Sequence, residues 1–280
     1  MSSIKKIDNL EIISNYDNVI CRKKINYNIN NIYNYLKSRN FKNILDYQLN
    51  NGYVVRNYIE EINITKEEKL NELIYIISML HTKTTHYKTV SINDIKIFYE
   101  KMTDEIIDIK KYYNNICEKY DHFIFLRPSI YYLINNISII LISLDNSKYF
   151  LDKWYEIIKD KKRKRVVLNH NNLKITNLLV SNFSYLINFD KCIIDYPIYD
   201  LVSIFKNNYE YLDMIDIFNI YNSKYNLYEE EKYLLFSILL KIDKIEFNKS
   251  DIVNTRKVVK LISYLKKVSE FLKYNVKTKE

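Results

Sequence analysis

The sequence predicts an α+β protein, with a small β-rich N-terminal part and a large, mainly helical remainder. Three observations carry this. Residues 8–24 and 44–61 each hold two short apolar runs around a turn, the pattern of a β-hairpin. From residue 91 the apolar spacing is helical for most of the chain. One β-like island, KRVVLNH, NLLVS and SYLINF, interrupts the helices between residues 164 and 189.

Each element follows from local pattern. The first hairpin turns at Asn15-Tyr16-Asp17-Asn18, and residues 28–39 carry apolar side chains at 29, 32, 33 and 36, a helical stripe. The second hairpin turns at Asn50-Asn51-Gly52, where the single glycine of the chain supplies the turn. Thr65 reads as an N-cap, with Glu67 and Glu68 in the first turn of a helix to about His81. Ser91 caps a helix through about Lys119, and residues 129–159 form a long apolar-rich helical region. After the island come helices near 197–207, 211–223, 229–243 and 251–273.

Composition narrows the class. With 280 residues, 48% of them hydrophobic, the chain can bury a large core, which excludes a wholly disordered protein. One Gly, two Pro and no Ala, against abundant Asn, Lys, Ile and Tyr, read as drift in an AT-rich coding sequence. Asp and Asn codons differ by one base, so asparagine at a functional position is an expected product of that drift. A net charge of +9 permits polyanion binding without arguing for it. Cys21, Cys117 and Cys192 have no pairing or zinc-ligand spacing; Cys117 and Cys192 read as small core residues. His81, His86 and His122 have no metal-ligand spacing and read as satisfied or exposed. Asp8, Asn9 and Glu11 interrupt any secretory-type apolar run, and the longest apolar stretch, 130–144, contains Asn135 and Asn136. The expectation is a soluble cytoplasmic protein without membrane contact.

The chemistry concentrates in the island. It reads His170-Asn171-Asn172-Leu173-Lys174-Ile175-Thr176-Asn177, and its next strand ends Ile187-Asn188-Phe189-Asp190. Kinase-type catalytic loops read H-x-D-x-x-x-x-N: the Asp orients the substrate hydroxyl, the Asn reaches a metal, and a second Asp on the next strand holds Mg²⁺. Here the histidine, the spacing and the second Asn are present. Both aspartate positions are Asn.

This segment resembles the aminoglycoside phosphotransferase and choline kinase branch of the protein-kinase-like superfamily, which includes spore-coat-associated kinase-like proteins. That family's loop reads roughly H-G-D-x-x-x-x-N, followed by I-D-[FW] and then D-P-x-x-D-L. Ile187-Asn188-Phe189 is followed twelve residues after Asn188 by Asp200-Leu201, within DYPIYDL, a register that favours Asn188 over Asp190 as the metal-position counterpart. Leu80-His81 resembles the family's L-H pair. The resemblance covers about residues 8–275 in element order, with specific motifs only at 80–81 and 170–201.

It implies a two-lobed protein-kinase-like fold, with a reduced N-lobe at 1–62 and a helical C-lobe at 63–280 that carries the catalytic-loop-like island at 164–190. It also implies ATP and Mg²⁺ as cofactors of an active member, and a small hydroxylated substrate. On this register Asn172 is the degenerate catalytic position, His170 a loop scaffold, Asn177 and Asn188 the metal positions, and Asp200 a buried structural acid. Lys23 or Lys24, at the end of VICRKK, stands at the phosphate-holding position. Residues 28–39 hold no acid to pair with it, and the first hairpin holds no glycine to approach a phosphate.

The expected function is therefore a degenerate phosphotransferase, a pseudokinase binding a protein partner or, weakly, a nucleotide. Two other readings stay open. One is an active ATP-dependent small-molecule phosphotransferase with Asp190 or Asp195 serving the metal. The other is a polyanion-binding helical protein using the basic run 159–165, which otherwise reads as a solvated loop; no nucleic-acid motif accompanies it. A spore-associated location follows only from one branch of the resembling family.

Overall fold

The computed structural model describes residues 3–7, 10–14, 19–25 and 29–277. Its N-terminal lobe is a five-stranded antiparallel sheet in the order β1-β2-β3-β5-β4 (β1 Ser3–Ile7, β2 Leu10–Ser14, β3 Val19–Lys24, β4 Gln48–Asn50, β5 Tyr53–Asn57). The helix α1 (Ile29–Ser38) lies between β3 and β4 in sequence and buries Ile29, Tyr33 and Leu36, spaced at the helical period. Strands β2 and β3 pair as an antiparallel hairpin; its turn at 15–18 lies outside the described residues. The β4–β5 turn places Asn51 at φ 47° and Gly52 at φ 79°, the left-handed pair that a tight primed turn needs. Strand β1 has no counterpart in the sequence reading, because its five residues, SIKKI, do not alternate cleanly.

The C-terminal lobe is helical. Its first helix, α2 (Lys66–Thr84), opens with a full capping box: Thr65 Oγ1 accepts the Glu68 amide at 3.2 Å and Glu68 accepts the Thr65 amide at 2.8 Å. A long helix α3 (Ile92–Tyr120) follows. The helical region expected over 129–159 consists of two helices, α4 (Pro128–Asn135) and α5 (Ile137–Ile158), parted where Asn136 adopts φ −118°, ψ 12°. Three further helices, α6 (Ile198–Asn208), α7 (Met214–Lys224) and α8 (Glu229–Leu240), precede the last, α9 (Asp251–Lys277). Trp154, Tyr113, Tyr221, Phe205 and Phe271 fill the core of this lobe.

The β island is fuller than expected. Strand β7 (Arg163–Asn169) is central in a three-stranded antiparallel sheet, flanked by β6 (His86–Thr89) and β10 (Ile193–Asp195). Neither flank alternates polar and apolar residues, so neither shows in the sequence. Strands β8 (Leu178–Val180) and β9 (Ser184–Leu186) form a short hairpin. The basic run is not a free loop. From Arg163 it is strand β7, and acids answer it: Lys161 pairs with Glu230, Lys164 with Asp195 at 2.8 Å, and Arg165 with Glu231. Cys21 is buried, whereas Cys117 and Cys192 are half-buried, Cys192 against the core.

The two lobes are tied together beside the island. The Leu186 amide donates to the Asn43 carbonyl at 2.9 Å, and the Asn43 side chain donates to the Ser184 carbonyl at 2.9 Å. Among the described residues, no helix is long and apolar enough to cross a membrane.

Candidate active-site cleft

The catalytic-loop-like segment starts where β7 ends. Its position is set by Asp200, in the first turn of α6 and fully buried. One Asp200 oxygen accepts the His170 amide and the other the Asn171 amide, each at 2.8 Å. Asn171 sits at φ 57°, a left-handed conformation that asparagine tolerates better than most residues. The carboxylate also meets His81 Nε2 at 3.2 Å, and the Tyr221 hydroxyl lies 2.6 Å from His81 Nδ1. Burial holds the Tyr221 phenol well above its ordinary pKa, so the hydroxyl keeps its proton and is able to donate. An Nε2–H donating to Asp200 with Nδ1 accepting from Tyr221 satisfies both contacts. Loop, α6, α2 and α7 thus meet in one buried chain. The Leu80-His81 pair hints at this in the sequence; Tyr221, one tyrosine among 28, gives no signal.

His170 is buried, and burial pulls its imidazole below its ordinary pKa. Its Nε2 donates to the Ile187 carbonyl at 2.9 Å, and its ring packs edge-on against Phe189 with centroids 5.0 Å apart. Phe189 in turn meets Tyr33 of α1 at 6.1 Å. The ring joins the loop to the strand exit and reaches across to the N-lobe helix.

The asparagines form a line. Asn177 Nδ2 donates to the Asn172 carbonyl at 2.7 Å, and Asn188 Nδ2 donates to Asn177 Oδ1 at 2.8 Å. Lys23 Nζ donates to Asn188 Oδ1 at 2.8 Å, across 165 residues of sequence. Asn172 therefore joins through its backbone. Asn188 adopts φ 67°, which turns its side chain out of the strand path. Of the two candidate lysines, Lys23 reaches Asn188. Lys24, its neighbour on the other face of β3, is exposed. Asp190 is exposed, and Asp195 is held by Lys164.

These donors do not fit a resident divalent cation. Mg²⁺ favours carboxylate oxygen, yet the line offers only amide carbonyls, and both side-chain carbonyls already accept a hydrogen bond. Among the described residues, no group of three or more His, Cys, Asp or Glu side chains is placed to hold a metal ion.

A small antiparallel N-lobe with one helix, a helical C-lobe, and a loop hung from a buried aspartate between them make the protein-kinase-like fold. Within that class the chain is similar to an aminoglycoside phosphotransferase from Alicyclobacillus acidocaldarius subsp. acidocaldarius DSM 446: TM-score 0.73, 10% identity, covering 99% of this chain and 92% of that one. A spectinomycin phosphotransferase solved with ADP and spectinomycin matches at TM-score 0.49 and 15% identity, covering 97% and 88% of the two chains. The choline kinase LicA from Streptococcus pneumoniae matches at 0.47 and 15%, covering 93% of each. No protein-family profile matches the sequence. No curated protein sequence matches it.

Proposed function

We propose that the chain is a degenerate phosphotransferase, a pseudokinase that has kept the cleft and lost the chemistry. One observation carries this reading: amides and a lysine, bonded to one another, fill the line from Asn172 to Lys23 where carboxylates would hold metal and orient a hydroxyl. A neutral amide carbonyl attracts Mg²⁺ far less than a carboxylate does in a low-dielectric cleft. Loss of the orienting carboxylate costs roughly 10²–10⁴-fold where proton transfer matters. Helix α1 carries no acid to pair with Lys23. The role left is binding, of a protein partner or of a small ligand.

The rival readings have less support. An active enzyme drawing on Asp195 would have to break its ion pair with Lys164. A polyanion site on the 159–165 run would compete with Glu230, Glu231 and Asp195.

The test is a coupled assay of ADP release with MgATP and a panel of small hydroxylated and amino-alcohol acceptors. No acceptor-dependent release is expected from the protein as it stands. Robust release would overturn the reading in favour of an active small-molecule phosphotransferase.

A further inference from the structure

The misfit between this cleft and a divalent cation has a positive side. We propose that the cleft takes a phosphate-bearing anion without any divalent cation, its charge answered by the Lys23 ammonium. This rests on the degenerate reading above and specifies what the site still does.

A cleft built on carboxylates needs its metal twice over. The cation holds the phosphate, and it also cancels acids that would otherwise repel it. Here positions 172, 177 and 188 carry no charge. A phosphate approaching those three side chains meets no repulsion from them; of the acids beside them, Asp190 stands exposed to solvent and Asp200 is buried with both oxygens on loop amides. Within the bonded line itself, the one charged side chain is Lys23. It lies on β3, bonded on both sides by β2 and β5, so its backbone is fixed. Its ammonium has three N–H donors, of which one goes to Asn188 Oδ1. That acceptor is neutral, so the bond aims the lysine without discharging it. No carboxylate stands within ion-pair distance of Lys23 among the described residues, and α1 offers none. The other two donors suit phosphate oxygens, in charge-assisted hydrogen bonds.

The same geometry fixes what a carboxylate at 188 would do. In Asn188→Asp the lysine acquires an anion at hydrogen-bond distance. The pair becomes a salt bridge, the net charge facing the ligand falls to zero, and a cation is needed again. One substitution should therefore invert the metal dependence.

The experiment is calorimetry on the full chain, with ATP and with pyrophosphate, in EDTA and in excess Mg²⁺. The protein as it stands should bind at least one probe in EDTA, with no gain from Mg²⁺. Equal affinity for both probes identifies the phosphates as the ligand chemistry, and preference for ATP adds a contribution from the nucleoside. Lys23→Met should weaken binding in EDTA by roughly tenfold or more, and Lys23→Arg should retain it. Asn188→Asp should lose affinity in EDTA and regain it with Mg²⁺. Melting curves of each variant separate loss of binding from loss of fold. No binding in EDTA, binding that appears only with Mg²⁺, or unchanged affinity in folded Lys23→Met overturns the proposal. Those outcomes leave the degenerate reading standing, which fails only on ADP release.

Discussion

Asp200 and His81, separated by 119 residues in sequence, meet inside the C-terminal lobe with Oδ2 and Nε2 3.2 Å apart and both side chains fully buried. The same carboxylate holds the amides of His170 and Asn171, so one side chain sets both the loop and the packing of α2 behind it.

Asp200→Ala should leave two loop amides and the His81 ring without their acceptor. Each orphaned buried donor costs about 1–3 kcal/mol, so a loss of roughly 3 kcal/mol or more is expected in urea denaturation. Tyr221→Phe removes only the donor to His81 Nδ1 and should cost about 1 kcal/mol. An Asp200→Ala protein as stable as the parent would remove Asp200 from its structural role.

The buried His170 makes stability depend on pH. Its folded-state pKa lies below the ordinary value of 6.5, so the unfolded chain takes up the proton first as pH falls. The stabilisation is complete above about pH 6.5 and is lost as pH drops toward the folded-state pKa. Denaturation midpoints at a series of pH values should therefore fall more steeply in the parent than in His170→Gln across that window. Parallel profiles would mean that the ring titrates alike in both states.

Arg165 lies across Glu231, which is buried at the first turn of α8, and over the rings of Tyr225 and Tyr228. Truncation to Ala strands a buried carboxylate and should cost about 3–5 kcal/mol. Adding Glu231→Gln should recover part of that loss, a non-additivity that a double-mutant cycle measures.

Gly52 sits at φ 79° with open space where a Cβ would stand. Gly52→Ala should then be penalised by backbone strain alone, by about 1 kcal/mol, and Gly52→Asn by less. A larger loss in thermal unfolding would point to a contact absent from this turn.

Much of the fold is legible in the sequence because its signals are local. Thr65 and Glu68 announce α2, Asn51-Gly52 announces a hairpin, and the spacing from His170 to Asp200 announces the loop. What stays hidden depends on distant partners. Strands β6 and β10 exist because β7 stands between them, not because HYKT or IID favours extension. The break at Asn136 lies inside an apolar-rich helical region whose pattern does not mark where one helix ends and the next begins. Within the site, the sequence leaves Lys23 and Lys24 equivalent. The sheet separates them, since alternation along β3 turns only one toward Asn188. Likewise, His170 in its motif suggests a scaffold, but only the fold supplies the Ile187 carbonyl it holds.

The two hydrogen bonds between Asn43 and β9 have a mechanical consequence. They fasten the chain between α1 and β4 to β9 at a rung two residues from Asn188, so parting the lobes there means breaking two hydrogen bonds. The Leu186 amide, held in that pair, should be among the slower amides between residues 170 and 190 to exchange with deuterium.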